Sequence, residues 1–291
     1  MAAYTRAASE YDRNALQRLL QTVFKDSDSQ IGIFFNAYFD PSSVVLVEDG
    51  AEIAAAGYLL PVGDLVCNAQ SLPCAMIYAV GALPSHRNLG YGSAVVRDLI
   101  SLGLGTGYKA IVLCPSSDSL FEYYSAHSNL TAWFYANEQA YSDIPAANNG
   151  VKLAPVAEAA YRQLREGILN GAPHIDFDIR ALAYQLIMSQ QSGGNLFHAR
   201  SPSGDACFVT EMQQDGALWI KELLTKGIDE LDVLSAIAAA FPASQYIYRS
   251  PASIKRPQSG VRRFGMLLCA DEYAGLAQSP DGTAWYGLAF D

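Results

Sequence analysis

Residues Pro84–Ser93 read PSHRNLGYGS. They connect a predicted strand to a predicted helix, and this connection is the most informative part of the sequence for the fold. Residues 75–83 (AMIYAVGAL) are almost entirely apolar, whereas residues 91–104 carry apolar side chains at helical spacing. Between them lies the pattern Arg-x-x-Gly-x-Gly, which begins at Arg87. Glycines let backbone amides approach a ligand, and amides at a helix N-terminus bind phosphate groups. The stretch therefore predicts a pyrophosphate-binding loop to which Arg87 adds a positive charge.

Other glycine-rich motifs do not fit this part of the chain. A Rossmann fingerprint would read Gly-x-Gly-x-x-Gly with an acidic residue about 20 positions later, and a P-loop would end in Gly-Lys-Ser/Thr. Residues 103–107 (GLGTG) close the predicted helix and precede a strand, which is typical of a helix C-cap. The alternative for residues 84–93 is an ordinary glycine-rich turn between a strand and a helix.

The elements that follow make the pattern more specific. We predict a strand at Tyr108–Cys114 and a helix at Ser117–Ser125 that contains Leu-Phe-Glu-Tyr-Tyr, with Tyr124 as the second tyrosine. Strand, Arg-x-x-Gly-x-Gly loop, helix, strand and a helix with an aromatic-Tyr pair together resemble the GNAT acetyltransferase superfamily. Ser128 and Asn129 replace the family's Gly-Phe, a departure that concerns the turn after this helix rather than the tyrosine.

The resemblance covers about residues 4–141 and implies an α+β fold, in which helices flank a mixed and mostly antiparallel sheet. It also implies acetyl-CoA as co-substrate, with no metal. In the family, the strand before the loop opens at a bulge, so that its free amides bind the acetyl and pantetheine groups while the loop binds the pyrophosphate. The matching positions are Val80, Gly81, Ala82, Arg87, Asn88, Leu89, Gly90, Tyr91, Gly92, Ser93 and Ser119.

Tyr124 matches the family tyrosine that lies beside the coenzyme sulfur, which implies a general acid. A phenol with a pKa of about 10 is protonated at neutral pH and can donate to the leaving thiolate. The strand before the loop contains no Glu, Asp or His. The base is therefore a water relay or, as in tandem relatives of this family, the terminal carboxylate, here that of Asp291. Core packing is the alternative role for Tyr123 and Tyr124, although adjacent helical positions do not face the same way.

Two domains are predicted, residues 1–145 and 146–291, with the linker-like sequence SDIPAANNG between them. The second half repeats the element order of the first, but TKGID (residues 225–229) stands where the phosphate loop would be. We interpret it as a degenerate GNAT-like repeat that has lost the coenzyme, with an unrelated α+β domain as the alternative. The arrangement resembles the first two domains of the enhanced intracellular survival acetyltransferases. A final strand is predicted at Trp285–Phe290.

Composition limits the partners that we expect. Nineteen basic against 29 acidic residues give a net charge of −10, which argues against nucleic acid and anionic membranes and suits a cationic amine. Five cysteines without CxxC spacing indicate a reduced, cytoplasmic protein, and four scattered histidines indicate no metal site. There is no secretory leader and no apolar span of about 20 residues. Aromatic strands in the second half could form an interface between copies of the chain.

The leading hypothesis is an acetyl-CoA-dependent N-acetyltransferase, in which the amine of a small cationic acceptor attacks the thioester directly in a ternary complex. Acetylation of a protein lysine or N-terminus and a non-catalytic acyl-CoA-binding module are the alternatives. Asp26 and Asp28 could attract a cationic amine, although their Asp/Ser run favours a helix N-cap. Four aromatic residues of the next helix could line the acceptor pocket or pack in the core: Phe34, Phe35, Tyr38 and Phe39.

Overall fold

The computed structural model describes residues 3–145, 150–252, 260–277 and 283–290. The strands in these residues are β1 (Tyr4–Ala7), β2 (Val44–Asp49), β3 (Glu52–Cys67), β4 (Gln70–Ala82), β5 (Ala110–Leu113), β6 (Thr131–Tyr141), β7 (Lys152–Pro155), β8 (His174–Phe177), β9 (Asn195–Ser201), β10 (Gly204–Met212), β11 (Ala217–Lys226), β12 (Gln245–Pro251) and β13 (Gly260–Cys269). The helices are α1 (Arg13–Phe24), α2 (Asp28–Tyr38), α3 (Tyr91–Gly105), α4 (Asp118–Ser128), α5 (Glu158–Leu169), α6 (Ile179–Gln191) and α7 (Glu230–Ala240).

Local sequence explains where several of these elements begin and turn. Helix α2 follows Ser27, whose side chain accepts a hydrogen bond from the amide of Gln30, so the Asp/Ser run caps the helix as its sequence favours. In the hairpin of β3 and β4, Asn68 and Ala69 have φ values of 51° and 60°. Those left-handed values are what a two-residue hairpin turn requires at both central positions.

Contacts group the described residues into two compact units. The first unit contains those of Met1–Leu65, Ser71–Trp133 and Gly265–Gln278, and the second contains those of Val66–Gln70, Phe134–Phe264 and Ser279–Asp291. The first unit therefore includes a segment from near the end of the chain. The domain limits predicted at residues 145 and 146 stay a prediction.

The first unit is a mixed sheet with the order β1-β2-β3-β4-β5 and then the end of β13. Strands β4 and β5 are parallel, whereas β1, β2 and β3 pair antiparallel, as do β5 and Met266–Cys269 of β13. Helix α3 lies close against this sheet, since a Cβ added at Gly103 would be 2.6 Å from the Cδ1 atom of Ile111. The core between them includes Val95, Leu99 and Ile77.

The second unit has the strand order β6-β12-β11-β10-β9-β7. Strands β11 and β12 are parallel, and the other neighbouring pairs are antiparallel. Helix α7 contributes Val233, Leu234 and Ile237 to the core, which also contains Phe208 and Ile220 from the strands. Both units thus contain a parallel strand pair joined through one helix, β4-α3-β5 in the first and β11-α7-β12 in the second. The fold class predicted from the sequence, α+β with helices flanking a mixed sheet, is confirmed.

One sequence prediction for the second half is wrong, and one strand of that half was not predicted. Trp285–Phe290 is not a strand in the described residues, and its one ladder contact is a parallel bridge between Trp285 and His174. Left-handed φ values at Gly287 and Phe290 break the extended path, and the Arg165 guanidinium binds the Tyr286 carbonyl at 3.1 Å. Strand β8 was not predicted, because its four residues are too few for a periodic signal.

Candidate active site

Strand β4 has an irregular backbone shortly before the predicted pyrophosphate loop. Its parallel pairing with β5 runs from Cys74–Ala110 to Ile77–Leu113, where β5 ends, while β4 continues to Ala82. Two residues after this last pair, Ala79 has a φ of 48°, an unusual value for a residue with a Cβ inside a strand. The irregularity lies immediately before Val80–Ala82, the segment that is predicted to bind the acetyl and pantetheine groups.

The loop after β4 leads to a helix N-terminus that lacks a side-chain cap. The N-cap residue of α3 is Gly90, whose φ of 80° is readily accessible to glycine alone, and glycine has no side chain to cap the helix. The first intrahelical bond joins the Ala94 amide to the Gly90 carbonyl at 3.1 Å. The amides of Tyr91, Gly92 and Ser93 therefore precede the helical ladder and have no acceptor within it. No acidic residue occupies this first turn.

Several positions of the loop after β4 are exposed to solvent. Arg87 and Leu89 are exposed, and Asn88 has a left-handed φ of 64°. The hydroxyl of Tyr91 donates to the Asp49 carboxylate at 2.7 Å, and the Nε2 atom of His86 lies 3.8 Å from the same carboxylate. The turn between β2 and β3 therefore holds the loop from one side and leaves Arg87 facing solvent.

Tyr124 lies in the core of the first unit, on α4. Its side chain belongs to the buried cluster that includes Ile77 and Leu113, the last paired residues of β4 and β5, and the residue is 7% exposed. Burial, followed by the proximity of Tyr123, raises the pKa of Tyr124 to about 12. The phenol is therefore protonated across the neutral range, as a general acid must be.

Tyr123 contacts the first turn of α3, a contact that was not predicted from the sequence. Its hydroxyl shares a hydrogen bond with the Ser93 hydroxyl in the first turn of α3. A Cβ added at Gly92 would be 3.4 Å from the same phenol oxygen. The signal was the tyrosine doublet itself, because adjacent helical positions point in directions about 100° apart. One tyrosine therefore faces the core while the other faces the loop.

The other predicted residues are less closely connected to the loop. Ser119 is exposed in the first turn of α4, and its hydroxyl lies 3.0 Å from that of Ser117. Asp291 lies outside the described residues. Of the four aromatic residues, Phe34, Phe35 and Tyr38 are buried, and the Phe34 ring contacts the ring of Tyr58 at 5.0 Å, so this face of α2 packs in the core.

The second unit offers the opposite environment at the matching position. Helix α7 has Asp229 as its N-cap, and the carboxylate accepts a hydrogen bond from the Leu231 amide at 2.7 Å. Glu230 and Asp232 add negative charge to the first turn. An anion is favoured at the uncapped terminus of α3 and repelled at the capped, acidic terminus of α7.

A small cavity lies beyond the parallel strand pair of the second unit. Pairing of β11 with β12 ends at Ile220–Tyr248. Trp285 lines a cavity of about 180 Å³ together with Leu224, Thr225 and Pro251 from the ends of those strands. Its indole donates to the carboxylate of Glu222 on β11 at 2.6 Å.

Comparison with known proteins assigns the first part of the chain to a family. The profile described as "Acetyltransferase (GNAT) domain" matches residues 4–126. Residues 4–126 form a GNAT acetyltransferase domain. This domain contains the Arg87 loop, α3 and Tyr124, and the match supports an N-acetyltransferase enzyme. No curated protein matched the sequence.

Solved structures resemble nearly the whole chain and not the GNAT domain alone. A GCN5-related N-acetyltransferase from Anabaena variabilis has a TM-score of 0.68 at 16% identity, with 91% of this chain and 72% of that chain covered. A probable N-acyltransferase from Enterococcus faecalis has a TM-score of 0.68 at 12% identity, covering 92% and 73%. Eis1 from Mycobacterium abscessus has a TM-score of 0.62 at 10% identity, covering 94% and 75%. At these identities the likeness concerns the fold.

The residues around the loop of the GNAT domain fit acetyl-CoA, the co-substrate that the family uses. Three uncapped amides and an exposed arginine could hold the pyrophosphate. Within the part of the chain that the structure describes, no group of three His, Cys, Asp or Glu side chains could hold a metal ion. None of the described helices combines the length and apolarity needed to cross a membrane.

Proposed function

We propose that the chain transfers the acetyl group of acetyl-CoA to the amine of a small cationic acceptor, by direct attack in a ternary complex. The observation that carries the proposal is the uncapped N-terminus of α3, which follows the irregular end of β4 and lies beside Arg87. Acetyl-CoA binds there through Val80–Ala82, Arg87–Ser93 and Ser119. The charge of −10 favours a cationic acceptor over an anionic one.

Tyr124 acts as the general acid in this proposal. The lone pair of the acceptor amine attacks the thioester carbonyl, and amides of Val80–Ala82 stabilise the oxyanion. As the tetrahedral intermediate collapses, the carbon–sulfur bond breaks and the thiolate takes the proton of Tyr124. The acceptor ammonium loses its first proton before the attack, through a water relay or through the terminal carboxylate of Asp291. The attacking nitrogen releases its second proton to solvent as the intermediate collapses, and the phenolate of Tyr124 is reprotonated from solvent.

Residues 146–291 are proposed to be a degenerate GNAT-like repeat without coenzyme. The element order β11-α7-β12 parallels β4-α3-β5. Asp229 and the acidic first turn of α7 disfavour a pyrophosphate, and the cavity beside the strand ends, which Trp285 lines, measures only about 180 Å³. These features support one coenzyme site in the chain, in the GNAT domain.

Thiol release from acetyl-CoA, with mass spectrometry of the product, tests the proposal. We expect release with a panel of polyamines and aminoglycosides. Arg87→Ala should raise the KM for acetyl-CoA about tenfold, because one charge-assisted hydrogen bond contributes about 1.5–3 kcal/mol. Arg97→Ala is the matched control, since Arg97 is exposed on α3, the helix that follows the Arg87 loop, and it should leave the KM unchanged.

The alternatives give different results in the same assay. Release with lysine peptides or protein N-termini and not with small amines would indicate a protein acetyltransferase. Binding of acetyl-CoA without release to any amine would indicate a non-catalytic module and would contradict the proposal.

A further inference from the structure

We propose that Tyr123 is a positioning residue that joins the pyrophosphate loop to the helix of the general acid. The inference rests on the proposed function and deepens it. In it, the phenol hydroxyl fixes the Ser93 hydroxyl at the N-terminus of α3 while the phenol ring supports Tyr124. Phosphate recognition and placement of the acid then depend on one side chain.

The position of the Tyr123 hydroxyl is the first observation. It shares a hydrogen bond with Ser93 Oγ and lies next to Gly92. Both residues belong to the first turn of α3, whose amides have no side-chain cap from Gly90. A hydroxyl placed there is close to where a pyrophosphate oxygen would bind.

The fixed orientation of the Tyr123 ring is the second observation. The ring meets that of Tyr124 edge to face, with 5.3 Å between centroids, and lies 4.7 Å from the ring of His127 on the other side. His127 is itself held, because its Nδ1 atom donates to the Tyr123 carbonyl at 2.7 Å. Edge-to-face aromatic pairs are favourable, so the orientation of one ring restricts the other.

Hydrogen-bond chemistry explains what the hydroxyl adds beyond the ring. When Tyr123 donates its proton to Ser93 Oγ, the Ser93 proton is free to point at a phosphate oxygen. A hydrogen bond to a charged phosphate is stronger than one between neutral groups. Phenylalanine would preserve the packing on Tyr124 and lose this orientation of Ser93.

Binding measurements separate the phosphate role from simple packing. We expect Tyr123→Phe to weaken binding of CoA about five- to tenfold by calorimetry. Binding of pantetheine, which lacks the pyrophosphate, should not change. Tyr11→Phe is the matched control, because Tyr11 is 97% exposed, and it should bind both ligands like the wild type. Thermal unfolding of each variant checks that the fold is retained.

A double-variant cycle tests the route through Ser93. If Tyr123 acts by orienting Ser93, then Tyr123→Phe should have no further effect on CoA binding in a Ser93→Ala background. Additive losses would overturn the inference, and so would unchanged CoA affinity in Tyr123→Phe. An equal loss of pantetheine and CoA binding would also overturn it, because the hydroxyl would then act outside the phosphate loop.

The experiments distinguish a failure of the proposed function from a failure of the proposed role of Tyr123. A wild-type chain that binds CoA without acetylating any amine contradicts the proposed function, while the inference is still decided by the CoA affinities of the variants. A wild-type chain that binds no CoA overturns both.

Discussion

At the scale of single residues, the two adjacent tyrosines of α4 show how position decides chemistry. Tyr124 is buried, and this burial raises its pKa to about 12. Tyr123 is half-buried and reaches Ser93. A general acid must hold its proton until the leaving group needs it, and burial of an uncharged phenol favours the protonated form. The buried tyrosine therefore suits proton donation, and its neighbour suits ligand positioning.

Replacing the buried phenol gives a kinetic prediction. Because the pKa of Tyr124 is raised, the acid stays protonated below about pH 11, and no alkaline loss of kcat up to pH 10 should come from it. Tyr124→Phe should lower kcat about 100-fold, with little change in the KM for acetyl-CoA and with the same alkaline profile. Steady-state kinetics from pH 6 to 10 measures this. An alkaline fall of kcat in the wild type that disappears in the variant would contradict it.

At the scale of elements, α3 combines an N-terminus open to ligand with a body packed tightly on the sheet. A Cβ at Gly103 would be 2.6 Å from Ile111 Cδ1 and 3.2 Å from Leu59 Cδ2, whereas nothing described lies within 4 Å of one at Gly105. The two glycines are near neighbours in the same helix. Close packing requires a glycine at position 103, whereas it does not require one at position 105. Close packing fixes the helix axis and hence the direction of its N-terminal amides.

These two glycines provide a matched stability test. Gly103→Ala should lower the free energy of unfolding by about 1–3 kcal/mol, because the added methyl overpacks the core. Gly105→Ala should change it by less than about 1 kcal/mol and in the stabilising direction, because alanine is the better helix former. Chemical denaturation of both variants measures the difference. Equal effects would show that α3 does not rest on β5 as described.

At the scale of the whole molecule, the first unit is not continuous in sequence. Met266–Cys269 pair antiparallel with β5, although more than 150 residues separate the two segments (110 to 266 in the chain numbering). Met266 is buried in the same core cluster as Tyr124. A segment from the last 30 residues of the chain, which includes Met266–Cys269, therefore completes the unit that carries the candidate active site.

Truncation tests that dependence. A chain that ends at residue 145 lacks the partner of β5 and the Met266 side chain, so the exposed strand edge should cause aggregation or loss of cooperative unfolding. Solubility and thermal unfolding measure this. Residues 260–277 joined to residue 145 through a flexible linker should restore a cooperative transition. Cooperative unfolding of the truncated chain at the temperature of the full chain would contradict the prediction.

Local features of the GNAT domain could be predicted from the sequence alone. The apolar spacing of residues 91–104 predicts a helix, and α3 is observed at Tyr91–Gly105, because periodicity is a property of neighbouring residues. The glycines after Arg87 predicted the loop for the same reason, since their backbone freedom is intrinsic. The roles of Val80–Ala82, Arg87–Ser93, Ser119, Tyr124 and Asp291 remain predictions.

Features that depend on contacts between residues distant in the chain became visible in the folded structure alone. It determined the return of Met266–Cys269 to β5, the left-handed Ala79 within β4, and the contact of Tyr123 with Ser93. It also showed that Trp285–Phe290, an apolar run that reads as a strand, is irregular and buried. An apolar run of sequence predicts that a segment is buried. The backbone conformation of that segment depends on the hydrogen-bond donors and acceptors of the residues that surround it in the fold.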